Sequence, residues 1–105
     1  RPIGDPVRLE APAAVRDEAG VHGRVVHVDR FGNLITNIPG EWVEHAAEVL
    51  VAGRSVGPIR RIYADVSPGE LLALVGSAGV VEIAVRDGSA AERLGVRRGT
   101  DVRVR

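Results

Sequence analysis

The sequence predicts an all-β domain: a small antiparallel β-barrel with Greek-key-like connections, interrupted only by short helical turns. Three observations carry that expectation. Runs rich in β-branched residues, such as Val25-Val26-His27-Val28 and Val80-Val81-Glu82-Ile83, recur along the chain, and Gly- or Pro-containing turns stop them. The 105 residues suit one domain, and at 45% hydrophobic they can build a core. Aromatic residues make up only 3%, so that core must be aliphatic.

Residues 1–20 are rich in Pro, Ala and charge, and Pro2, Pro6 and Pro12 remove backbone donors and favour extended chain. They read as a linker or surface arm, with the barrel over residues 21–105. Strands are expected at 23–29 and 34–38, the second ended by Pro39-Gly40. Residues 41–47 suit one or two helical turns with Trp42, Val43 and Ala46 on one side, and 48–52 a short strand before a tight turn at Gly53-Arg54-Ser55. The β-branched stretch 59–66 predicts a full strand closed by Ser67-Pro68-Gly69-Glu70. Residues 71–75 are nearly all apolar, as in a central strand, and 80–85 follow as its neighbour, ending at Asp87-Gly88. Ser89 is a helix N-cap for a short helix 90–94 with Gly95 as its stop, and 100–104 form the last strand.

Composition removes several function classes. Net charge is zero, from 14 basic and 14 acidic residues, which leaves no electrostatic footprint for nucleic acid or an anionic membrane. Every basic residue is Arg, a bias that fits a GC-rich genome. There is no Cys for a disulfide or thiolate metal site, no apolar stretch of membrane-spanning length and no signal peptide, so a cytoplasmic location is expected. The chain opens on Arg1 rather than Met, and a fragment of a longer protein is expected. His22 and His27 stand five apart in one strand and are expected on opposite faces, with no metal-ligand spacing.

The run Asp29-Arg30-Phe31-Gly32-Asn33 puts a carboxylate, a ring, a glycine and a carboxamide together after a strand. Asp29 can pair with a ligand ammonium or cap backbone amides in an Asx-type turn. Asn33 offers the donor and acceptor that match an adenine edge, or tolerates a turn conformation. Phe31 and Tyr63 can stack on a heterocycle or fill a core. Gly76-Ser77-Ala78-Gly79 can present amides and a hydroxyl to a carboxylate, or form a four-residue hairpin.

Three ordered blocks, VDRFGNLITNI (28–38), YADVSPGELLALVGSAGVVEIAV (63–85) and GSAAERLGVRRGTDV (88–102), resemble the C-terminal domain of the S-adenosyl-L-methionine (SAM) hydroxide adenosyltransferases, or SAM hydrolases, relatives of the fluorinases and chlorinases. The resemblance implies a small β-barrel that binds SAM as substrate, with no cofactor and no metal, in a homotrimer whose sites lie between this domain and the N-terminal domain of a neighbouring subunit. It implies hydrolysis of SAM to adenosine and methionine by substitution at ribose C5′. By the same resemblance Asp29 holds the methionine ammonium, Phe31 and Asn33 lie beside the adenosine, and Tyr63 lines the adenine pocket. Ser77 stands at the methionine end, and the backbone from Glu82 to Ala84 reads the adenine edge. The groups that handle the nucleophile belong to the missing N-terminal domain, so no catalytic residue is expected in this chain.

Two departures favour the hydrolase branch over a halogenase: Ala78 replaces the Arg that follows the serine, and Ile35 replaces the Trp two residues after the asparagine. Two binding-module readings compete. Residues 88–102 are locally similar to the late part of a PDZ domain, which captures a peptide on a strand edge. A barrel that binds single-stranded nucleic acid would need a basic groove and more aromatics.

Overall fold

The computed structural model describes residues 13–46 and 48–105. Its frame is a nearly closed barrel built around β2 (Gly20–Val28), the longest strand. β2 pairs with β3 (Leu34–Pro39) on one side and with β9 (Asp101–Val104) on the other. β4 (Val49–Val51) and β5 (Arg54–Gly57) extend the sheet beyond β9. β8 (Val80–Val85), β7 (Leu71–Val75) and β6 (Ile59–Arg60) extend it beyond β3. The order is therefore β5-β4-β9-β2-β3-β8-β7-β6. The two ends of that path are consecutive in sequence, separated by Pro58 alone, and β5 also lies against β7, so the sheet curls back on itself.

Alternation fills the barrel. Val21 and Val25 of β2, Leu34 and Ile38 of β3, Val49 and Val51 of β4, Val81 and Ile83 of β8 and Val102 and Val104 of β9 turn inward into one aliphatic cluster. Thr36 is the one buried polar side chain among the described residues. Its hydroxyl donates to the Val81 carbonyl at 2.7 Å and accepts from the Ile38 amide at 3.1 Å, so burial leaves it satisfied. A second, smaller cluster of Leu72, Leu74 and Ala84 lies apart from this core, with Val66 packed against it.

The structure departs from the sequence reading at five places. Residues 1–12 of the expected arm lie outside the described residues, while Val15–Asp17 form an exposed strand, β1, paired with β2. Arg16 stacks over Trp42, 4.7 Å from the ring centroid, and ties β1 to the barrel. Of the one or two helical turns expected over 41–47, the described residues hold one, a 3-10 turn that starts a residue earlier, at Gly40–Trp42. Arg54 and Ser55 belong to β5, so the turn before them is shorter than expected. The stretch 59–66 is strand only at Ile59–Arg60, and there it pairs parallel to β7. The Asp65 carboxylate then accepts the amides of Arg61 and Ile62 at 2.9 and 3.2 Å, which bends the chain into a 3-10 turn at Tyr63–Asp65. Finally, His22 and His27 are both exposed, because a bulge between Val25 and His27 inserts one residue and reverses the alternation. The helix α1 (Ala90–Leu94) is as expected, with Ser89 accepting the Glu92 amide at 3.2 Å and Gly95 left-handed at its end.

Candidate functional site

Where β2 leaves the sheet, Asp29 organises the turn. Its Oδ1 accepts the amides of Phe31 and Asn33 at 2.9 and 3.0 Å, and its Oδ2 accepts Asn33 Nδ2 at 3.1 Å. The Asp29 amide donates to the Asn33 carbonyl at 3.1 Å and closes the loop. Gly32 sits at φ 83°, and a Cβ there would collide with Ser89. Its carbonyl accepts the Ala91 amide at 2.9 Å, so the turn docks on the start of α1. The consequence is an outward Phe31, 64% exposed, with the Arg30 guanidinium over its ring at 5.0 Å.

The turn forms one wall of a notch. β3 begins at Leu34, which pairs with Ile83, while β8 runs on to Val85 with only β7 beside it. Beyond Ile83 the β3 side of β8 therefore has no strand partner. The cleft that opens there has a volume of about 530 Å³, lined by Phe31 and Asn33 on one side, Tyr63 on another, and residues 85–88 between them. Tyr63, 42% exposed, reaches it from the turn after β6, which Val66 follows and anchors on the Leu72–Leu74–Ala84 cluster.

Electrostatics link three of these groups. Burial works against ionisation of Asp29, but the amides of Asn33 and Phe31, the Asn33 carboxamide and the nearby His27 outweigh it and hold the carboxyl below its ordinary range. Burial, and then the charge of Asp29, push Glu82 upward. Burial, Glu82 and Asp29 push the Tyr63 phenol upward. Among the described residues no group of three or more His, Cys, Asp or Glu could hold a metal ion, and no helix is long and apolar enough to cross a membrane.

Phe31, Asn33 and Tyr63 thus meet in one cleft, although Tyr63 stands far from the other two along the chain. Asp29 stands behind Asn33 and is the scaffold of that wall. Ser77 is exposed in the β7–β8 hairpin and does not line the cleft. The amides of Gly76 and Gly79 are spent inside that hairpin, on the carbonyls of Val80 at 3.0 Å and Gly76 at 2.9 Å. Glu82 lies with its carboxylate over Gly76, where any Cβ would strike it. Its backbone is in register with Leu74 and Ile35, and Ala84 is buried, so the cleft is floored further along β8 than 82–84. The sequence reading missed residues 85–88. Their one signal is the Asp87-Gly88 pair, whose Asp87 sits at φ 63° in a tight turn closed by the Gly88 amide on the Val85 carbonyl at 3.1 Å.

The PDZ-like reading fails on geometry: β9, which residues 88–102 lead into, is paired on both edges by β2 and β4 and offers none to a peptide.

Residues 23–103 match the family described as the SAM hydroxide adenosyltransferase C-terminal domain. A curated relative from Thermus thermophilus, named (R)-S-adenosyl-L-methionine hydrolase, is 41% identical over 94% of this chain. One of the same name from Salinispora tropica is 38% identical over 93% of it. The chain spans only about 38% of the length of each. Among solved structures, an uncharacterized conserved protein from Thermotoga maritima superposes with a TM-score of 0.75 at 32% identity, over 90% of this chain and 39% of that one. A conserved hypothetical protein from Thermus thermophilus superposes at 0.70 with 42% identity, over 90% of this chain and 38% of that one.

Proposed function

The chain belongs to the SAM hydroxide adenosyltransferase family through its C-terminal domain, and on that premise we propose that it supplies one wall of the SAM site of a SAM hydrolase. The observation that carries the reading is the convergence of Phe31, Asn33 and Tyr63 on a single cleft. Adenine enters between the two rings. Asn33 gives one Nδ2 hydrogen to Asp29 and keeps a second, with its Oδ1, which matches the donor and acceptor of an adenine edge. Asp29 is anionic and accepts three N–H groups, out of roughly four lone-pair positions on a carboxylate. The remaining one, with the charge, is available to the methionine ammonium. Ser77 offers its hydroxyl to the methionine carboxylate from the neighbouring hairpin.

The reaction is in-line displacement. A water oxygen bonds to ribose C5′ as the C5′–S bond breaks, the bonding pair stays on sulfur as neutral methionine, and the water's proton is released with adenosine. The substrate is SAM in the (R) form that the relatives' name specifies. This chain binds and aligns, and alignment alone can supply a large share of such a rate. The groups that handle water belong to the part of the protein that these residues do not span. An open cleft with exposed rings fits a site completed by that part from a neighbouring subunit of a cytoplasmic homotrimer.

The test is product analysis of the complete protein with SAM in chloride and fluoride buffers. Adenosine and methionine are expected in both, with no turnover by the 105-residue chain alone. A halo-adenosine would move the assignment to the halogenase branch, which Ala78 and Ile35 argue against.

A further inference from the structure

The Tyr63 wall is the part of the cleft that the barrel holds least. Residues 61–65 are exposed, and no strand pairing reaches past Arg60 on that segment. What ties it down is local at one end: Asp65 caps the turn's own amides, and Val66 packs on Leu72, Leu74 and Ala84. One further tie crosses to the cleft floor. Arg86 Nη1 donates to the Val66 carbonyl at 2.7 Å in a part-buried bond. The main chain of the same residue is clamped, its amide on the Glu70 carbonyl at 3.0 Å and its carbonyl accepting the Gly69 amide at 2.7 Å. Arg86 itself lines the cleft beside Tyr63.

We propose that Arg86 is a positioning residue: its guanidinium fastens the Tyr63 turn to the end of β8 and so sets the spacing between Tyr63 and the Phe31–Asn33 wall. That spacing decides whether a flat ring system fits between the two walls. The planar guanidinium directs this part-buried bond along one N–H, whereas a lysine ammonium on a flexible stem would hold the carbonyl more loosely. The consequence for substrate choice rests on the reading of the cleft as an adenosine site; the fastening does not.

Tyr63 is the chain's one tyrosine, so its phenol can be followed alone by ultraviolet absorption and by its ring resonances. The charged groups near it are Glu82 and Asp29, which act on its phenol, Asp65 in its own turn, and Arg86 and Asp87 on the cleft floor. Loss of the Arg86 cation by itself would raise the phenol further, so a fall reports release of the turn. In Arg86→Met the turn is released, Tyr63 ionises at lower pH, close to the ordinary value of about 10, and its ring shifts at neutral pH move to those of a solvated tyrosine. Arg86→Lys gives an intermediate result. In the complete protein Arg86→Met raises KM for SAM roughly tenfold with little change in kcat, the pattern of lost uniform binding. Wild-type Tyr63 behaviour in folded Arg86→Met overturns the proposal. If that variant fails to fold, wild-type behaviour in Arg86→Lys overturns it instead. A released Tyr63 in Arg86→Met of this chain, together with a complete wild-type protein that binds no SAM, supports the fastening and removes only the adenosine-site reading.

Discussion

Asp29 and Glu82 are carboxylates near enough for the charge of one to act on the other, and they respond to pH in opposite directions. Asp29 collects three N–H donors and ionises below its ordinary range. Its contribution to stability is present above the unfolded-state pKa and is lost as pH falls through the lower folded value. Glu82 is raised by burial and by Asp29, so its contribution is present below the unfolded-state pKa and is lost as pH rises through the higher folded value. Glu82→Gln should therefore raise the melting temperature at neutral pH, with a gain that shrinks toward about pH 4. Asp29→Asn should lower it at neutral pH, with a loss that shrinks in the same direction. Melting curves across that range check both, and parallel shifts of the two variants would contradict the assignment. The sequence could not separate the two uses of Asp29, because capping a turn and holding an ammonium draw on the same two oxygens. The structure shows the turn in place and one acceptor position to spare. Glu82 was legible only as backbone in a strand, since nothing local reveals that its carboxylate covers Gly76.

Elements with a local cause were readable in advance. β2, β3, β7, β8 and α1 follow from alternation, apolar runs and a Ser–Gly capping pair, all contained within a few residues. The stretch 59–66 was not readable, because Ile59, Ile62 and Val66 suit a strand while the decisive bend comes from the Asp65 carboxylate turning back on Arg61 and Ile62. The DRFGN turn depends on an element far along the chain. Gly32 has a left-handed backbone and stands against Ser89 at the start of α1. Gly32→Ala should cost at least about 2 kcal/mol, combining the conformational penalty of a left-handed non-glycine residue with displacement of the helix cap. A denaturant midpoint unchanged from wild type would show that α1 can move away at no cost.

At the scale of the whole molecule, the cleft exists because two strands end at different places. β3 starts at Leu34, β8 continues past its last β3 partner Ile83, and the DRFGN turn and the Tyr63 turn close in on the vacant edge. Register across distant strands decides such a feature, so residues 85–88 carried almost no signal in the sequence, whereas Phe31, Asn33 and Tyr63 stood out in a chain with three aromatics. On the proposed reading the domain supplies one binding wall, and it spans about 38% of the length of the two named relatives. On this reading the exposed Phe31 ring serves a ligand rather than the core. Calorimetric titration of the complete protein with SAM tests it most directly, comparing wild type with Phe31→Ala. At 64% exposure the ring contributes little to folding, so the variant should melt as wild type does. Loss of one base-stacking contact should weaken SAM binding roughly 5- to 150-fold. Unchanged affinity in a folded Phe31→Ala protein would contradict the account.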